Sequence, residues 1–190
     1  MKIARKPNRM VVTMAVFCFV FGMSATGSAL GGPVGKDTMQ LTSTAFGDGA
    51  QILAKHTCDG ENISPPLKWS GTPAMARSLA LIVDDPDAPA ATWVHWVLYD
   101  LPTDTSELPE GASPGHLIAG GAREGLNDFG RAGYGGPCPP PGKAHRYFFK
   151  LYALDATIGL KSNATKKDVE RAMEKHILAR TQLMGTYQRK

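Results

Sequence analysis

A mainly β protein is predicted from three features: short apolar or alternating runs, turn-forming residues between them, and a single segment with helical periodicity. In chain order the runs are Met39 to Thr44, Gln51 to Thr57, Leu67 to Trp69, Ser78 to Asp84, Trp93 to Tyr99, Tyr147 to Ala153 and Gln182 to Tyr187. Asp59-Gly60 and Ser64-Pro65-Pro66 punctuate the first three, because glycine and proline supply the backbone angles that tight turns need. Ser78 to Asp84 is almost wholly apolar, which predicts a central strand covered on both faces. In Trp93 to Tyr99, period two sets Trp93, His95, Val97 and Tyr99 on one face and Val94, Trp96 and Leu98 on the other. The helix begins at Thr165, where Thr165-Lys166-Lys167-Asp168 reads as a capping box. Val169, Ala172, Met173 and His176 then recur at helical spacing, with Glu170, Arg171, Glu174 and Lys175 outward.

The first 29 residues have another character. Lys2, Arg5, Lys6 and Arg9 precede an apolar run from Met10 to Met23, and small residues lead to Gly27-Ser28-Ala29. That layout is a secretory signal, with cleavage expected after Ala29 and residues 30–37 left as a linker to a single domain at 38–190. The run is short for a membrane span, and no basic stop-transfer cluster follows it, as an uncleaved anchor would require. Cys18 lacks the small-residue context of a lipidated cysteine. Expected localisation is therefore periplasmic or secreted. The whole chain carries a formal charge of +4, but four of its 21 basic residues lie in this leader. The remaining 17 balance 17 acidic residues, so no bulk positive field points to nucleic acid. Export would place Cys58 and Cys138 where disulfides persist, and both a bridge and two separate buried thiols fit the sequence.

Three segments carry chemistry. Asp84-Asp85-Pro86-Asp87-Ala88-Pro89 ends the central strand with three carboxylates, whose directions two prolines restrict. Read alone, it fits a turn, a calcium loop or a bracket that orients a histidine. His95 lies on the next strand, where a carboxylate from that loop would fix its tautomer. From Pro109 to Gly142, 16 of 34 residues are glycine or proline, and this long loop, read as an ordered binding loop, runs through Gly133-Tyr134-Gly135-Gly136-Pro137-Cys138 to His145. Its glycines could aim amides at an anion, with His145 and Tyr134 adding side-chain donors. The sequence contains no Walker loop, His-Glu-x-x-His, Gly-x-Ser-x-Gly or internal repeat.

Together these segments resemble the phosphatidylethanolamine-binding protein family, in its bacterial Raf-kinase-inhibitor-like branch. The resemblance rests on Asp85-Pro86-Asp87-Ala88-Pro89, His95-Trp96, Gly136-Pro137-Cys138-Pro139-Pro140, Gly142-x-x-His145-Arg146-Tyr147 and the stretch from Thr57 to Trp69. It implies a large central antiparallel sheet packed on a smaller sheet, with a helix near the C-terminus and an anion pocket at one end. Carried over to matching positions, the ligand-binding residues are Asp85, Asp87, His95, Tyr134, Gly136, Pro137, His145 and Tyr147. Arg146 falls opposite His145 by strand alternation and is expected in a structural ion pair. The implied function is non-enzymatic binding of phosphate, phosphoethanolamine or a phospholipid head group, with no cofactor or metal and with peripheral membrane contact. A second reading is an inhibitor or interaction module acting on a protease or other protein. A third, a hydrolase, would pair Cys138 with His95 or His145, and a bridge to Cys58 would remove its nucleophile.

Overall fold

Eight strands and one helix build two antiparallel sheets and a covering layer in the computed structural model, which describes residues 38–113 and 120–190. The leader and linker read from the sequence lie outside the described residues. The large sheet has the order β6-β4-β3-β7-β8, formed by β3 (Ser78–Asp85), β4 (Trp93–Leu101), β6 (Arg123–Glu124), β7 (His145–Leu154) and β8 (Ile177–Tyr187). The small sheet, β1-β2-β5, comprises β1 (Gln40–Thr42), β2 (Leu67–Ser70) and β5 (Glu107–Leu108). Every named pairing is antiparallel. No helix among the described residues is long and apolar enough to cross a membrane.

The cores follow from side-chain parity. Leu79, Leu81 and Val83 of β3 and Tyr147, Phe149 and Leu151 of β7 pack with Leu41, Leu67, Trp69 and Leu108 of the small sheet. Ala80 and Ile82 on the opposite face of β3 pack with Val169 and Met173 of α1 (Lys166–Met173). All eight residues of β3 are buried, as its apolar composition predicts. The Thr165 capping box is present, with Thr165 and Asp168 each bonded to the other's backbone N–H. The helix stops at Met173, so His176 is not on its apolar stripe; it is half-exposed and its Nδ1 lies 2.7 Å from Asp155 Oδ1.

Two predicted elements differ. Gln51 to Thr57 is not a strand: Gln51 makes one parallel bridge to Thr186, and Ala54–His56 form a 3-10 turn. Local bonds decide this, because Thr57 donates to the Ala54 carbonyl through both its N–H and its Oγ1. In β4 the strict alternation fails. Val83 pairs with Trp96 and Asp84 with Val94, which leaves His95 as the extra residue of a β-bulge. His95 therefore leaves the face of Val97 and Tyr99 and turns inward beside Trp96. The two-residue strands β5 and β6 are too short for periodicity to reveal.

Candidate functional site

The antiparallel order brings the end of β3 beside the starts of β4 and β7, so residues far apart in sequence meet at one end of the large sheet. Odd-numbered residues of β3 and β7 face the inter-sheet core, which puts Asp85, His145 and Tyr147 on that side; the bulge adds His95. They line a cavity of about 260 Å³, with Ala88, Pro89, Trp93, Phe129, Cys138, Pro139 and Pro140 completing its walls. A larger depression of about 490 Å³, beside Lys150, Tyr152 and Arg180, has neither a histidine nor a carboxylate in its lining. The smaller cavity is the chemically equipped one.

Its floor is held by specific bonds. His145 Nδ1 lies 2.8 Å from Asp85 Oδ2, and a carboxylate only accepts, so Nδ1 is the protonated nitrogen. His95 Nδ1 lies 2.6 Å from the Gly135 carbonyl, which assigns the same tautomer. Among the described residues neither Nε2 has a hydrogen-bond partner. Asp85 Oδ1 accepts the Asp87 N–H at 2.8 Å. The buried Tyr147 hydroxyl is coupled electrostatically to Asp85 but completes no hydrogen bond of good geometry. Burial lowers the pKa of His95, against the weaker upward pull of the Gly135 carbonyl and Asp85, so this imidazole is neutral near pH 7. Burial likewise raises the pKa of Tyr147 far above the ordinary phenol value. His95 stands edge-on to Tyr147 and Phe129, with centroids 5.1 and 5.4 Å apart.

The other residues carried over by resemblance lie behind this floor. Tyr134 is buried and donates to the His56 carbonyl at 2.8 Å. Gly136 gives its N–H to Asn62 Oδ1, and a methyl there would meet the His56 carbonyl, Asn62 and Thr57. The Pro137 carbonyl accepts the Cys58 N–H. Since the Gly135 N–H goes to the His95 carbonyl and prolines follow, Gly135 and Gly136 form no amide nest for a ligand. This corrects the anion cradle expected of the glycines, which serve close packing here. The apolar rim, Trp93, Phe129, Ala88, Pro89, Pro139 and Pro140, was not among the expected ligand residues. Ala88, Pro89, Pro139 and Pro140 lie inside the motifs that carry the resemblance, whereas Trp93 and Phe129 lie outside them. Trp93 and Phe129 meet edge to face and remain 40% and 41% exposed, so both stand at the mouth.

Asp87 is also absent from the lining. Arg146 grips both its carboxylate oxygens, Nε at 2.9 Å and Nη2 at 2.7 Å, and its own N–H adds a third bond. The expected structural pair of Arg146 thus takes a carboxylate expected to meet ligand. The guanidinium holds the Asp87 carboxyl down to about 2. A lowered carboxylate pKa stabilises the fold fully above its unfolded value, near 4, and ceases to do so as the pH falls through the folded value. The urea-midpoint difference between the native chain and Asp87→Asn should therefore close between about pH 4 and pH 2. A difference unchanged across that window would show that this charge does not stabilise the fold.

Cys58 and Cys138 are joined by a disulfide, with Cα atoms 5.4 Å apart. Cys138 is part of the cavity wall, and its sulfur is unavailable as a thiolate nucleophile while the bridge stands. The Cys138 hydrolase reading therefore loses its nucleophile.

A sequence profile of the phosphatidylethanolamine-binding protein family matches residues 42–188. A UPF0098 protein of Methanothermobacter thermautotrophicus is 51% identical over 151 residues, covering 80% of this chain and 99% of that protein. One from Pyrococcus abyssi is 44% identical over 190 residues, covering 96% and 99%. Among solved structures, a phosphatidylethanolamine-binding protein homologue of Chlamydia trachomatis is 45% identical with a TM-score of 0.75, covering 81% of this chain and 99% of its own. YbcL of E. coli, described as a member of the mammalian family, is 38% identical with a TM-score of 0.77, covering 80% and 99%.

Proposed function

This chain belongs to the phosphatidylethanolamine-binding protein family, and from that premise we propose that it binds a small oxyanionic group, of the phosphate or phosphoethanolamine type, in the cavity between Asp85, His95, His145 and Tyr147, without transforming it. Its family and fold are those of a binding-type protein. One observation carries the rest. Two imidazole Nε2 atoms and a phenol hydroxyl, without hydrogen-bond partners among the described residues, converge on one cavity from two neighbouring regions of the large sheet. The Tyr147 hydroxyl is fully buried, and buried polar atoms are rarely left unbonded, so a ligand or water is its natural partner. The exposed Trp93 and Phe129 suit a ligand with an apolar portion, or a peripheral contact with a lipid surface where such rings settle. The Cys58–Cys138 bridge supports reading the leader as an export signal, because disulfides persist outside the reducing cytosol.

Calorimetry with phosphate and phosphoethanolamine tests this reading. Binding should be measurable, and His145→Ala should weaken it by about 10- to 150-fold, the scale of one hydrogen bond to a charged group. His176→Ala, at a site remote from the cavity lining, should leave it unchanged. No heat from either ligand at millimolar concentration, or equal losses from both substitutions, would remove the oxyanion reading.

A further inference from the structure

We propose, resting on the oxyanion reading above, that the cavity prefers oxyanions esterified to an aromatic group, and that Phe129 is the residue that sets this preference. The inference comes from a row of rings. Trp93 meets Phe129 at 77° with centroids 5.6 Å apart, Phe129 meets His95 at 70° and 5.4 Å, and His95 meets Tyr147 at 85° and 5.1 Å. Four edge-to-face rings thus run from the exposed mouth to the buried Tyr147 hydroxyl. All four line the cavity, so a ligand whose oxyanion reaches the polar floor carries its organic group along them. A planar ring extends such a row, because its electropositive edge meets an aromatic face and its own face receives an edge. A saturated ring of the same size buries similar apolar area but has no quadrupole to match. The cavity, at about 260 Å³, falls just below the roughly 300 to 1,000 Å³ of sites for drug-sized ligands, so an oxyanion with one small ring fills it.

Phe129 lies outside the motifs that carry the resemblance, yet its place is built by several independent bonds. Buried Asn127 accepts the N–H groups of Phe129 and Arg131 at its Oδ1, at 3.0 and 3.3 Å, and donates from Nδ2 to the Gly133 carbonyl at 2.8 Å. Its own N–H and carbonyl close the turn on Arg131 and Gly130, and Gly130 takes a φ of 75° that glycine adopts freely. Asp128 ties the same turn to β4, because its N–H donates to the Val94 carbonyl and its Oδ2 accepts the Val94 N–H at 2.7 Å. Gly135 supplies the room: a methyl group there would run into the Phe129 ring. The ring is therefore held against His95 although it is 41% exposed. Phe129 acts on the ligand's organic group as a specificity residue, and Asn127, behind it, is a positioning residue.

The test is calorimetry on the full chain with methyl, cyclohexyl and phenyl phosphate at about pH 8, well above the second ionisation near pH 6, so that all three present the same dianion. Phenyl phosphate should bind about tenfold more tightly than methyl phosphate. It should also bind roughly two- to tenfold more tightly than cyclohexyl phosphate, although the saturated ring is the more hydrophobic. Phe129→Leu keeps an apolar side chain without a ring, and should bring the ratio of phenyl to cyclohexyl affinity close to one. Asn127→Ala should lower the same ratio without removing any group that touches the ligand, whereas Asn127→Asp, which keeps an oxygen for the Phe129 N–H, should retain it. A merely structural role for Asn127 would weaken all three ligands alike. If the Asn127 variants do not fold, Phe129→Leu, at a half-exposed position, decides alone. Cyclohexyl phosphate binding the native chain as tightly as phenyl phosphate, or a ratio that survives in Phe129→Leu, would overturn the aromatic preference while leaving the oxyanion reading intact. Failure of all three ligands to bind would remove both.

Discussion

Replacing Cys58 and Cys138 together by alanine should lower the unfolding free energy by about 4 kcal/mol, within the 2 to 5 kcal/mol range for native disulfides. The bridge spans a sequence separation of 80, and closing a loop of that length restricts the unfolded chain by about 4.5 kcal/mol in the chain-entropy account. Hydrogen bonds reinforce the same junction in the folded state. The Cys58 N–H donates to the Pro137 carbonyl, the Gly136 N–H to Asn62, and the Tyr187 hydroxyl to Asp59. These bonds should hold the native arrangement, so the loss should appear in stability first. Because Cys138 is a wall residue of the cavity, ligand affinity should fall as well. Denaturant melts of the native chain with and without reductant, beside the double variant, measure the effect. A loss under 1 kcal/mol in both would show that the hydrogen bonds alone carry the junction.

Trp96→Ala should cost about 3 to 5 kcal/mol, the usual range for emptying a fully buried large aromatic site. Trp96 is completely buried between the sheets and lies edge-on to Tyr134 at 5.7 Å. Its Nε1 donates to Glu124 Oε1 at 2.9 Å, and the same oxygen accepts the Ser113 hydroxyl. Alanine leaves a cavity that neighbours on strands of the large sheet cannot collapse to fill. Trp96→Phe keeps most of the apolar contact and loses the hydrogen bond, so it should cost roughly 1 to 3 kcal/mol. Urea unfolding of both variants distinguishes the terms. Equal losses would mean that the Glu124 bond, and not the packing, dominates at this position. Because His95 is the bulge residue next to Trp96, the alanine variant should also weaken ligand binding even where the fold persists.

Local pattern was enough to determine much of this protein. The unbroken apolar run of β3 required burial on both faces, Thr165 and Asp168 required a helix start, and the order of motifs from Asp85 to Tyr147 identified the family. Each of these depends on neighbours within a few positions, or on residue identity alone. The chemistry of the floor depends on partners that lie far along the chain. His95 finds the Gly135 carbonyl 40 residues away, and His145 finds Asp85 at a separation of 60. Nothing in a period-two pattern announces the bulge that turns His95 inward, because a bulge is a mismatch between two strands and not a property of either. The glycines suggested donors to an anion, yet tertiary packing had already assigned the Gly135 and Gly136 amides to His95 and Asn62. Asp87, one position of the same motif, was likewise drawn away by Arg146. The sequence determined which polar groups arrive at this end of the sheet; the tertiary structure decided which of their hydrogen-bonding valences remain open, because each valence is settled by whichever partner the fold brings within about 3 Å.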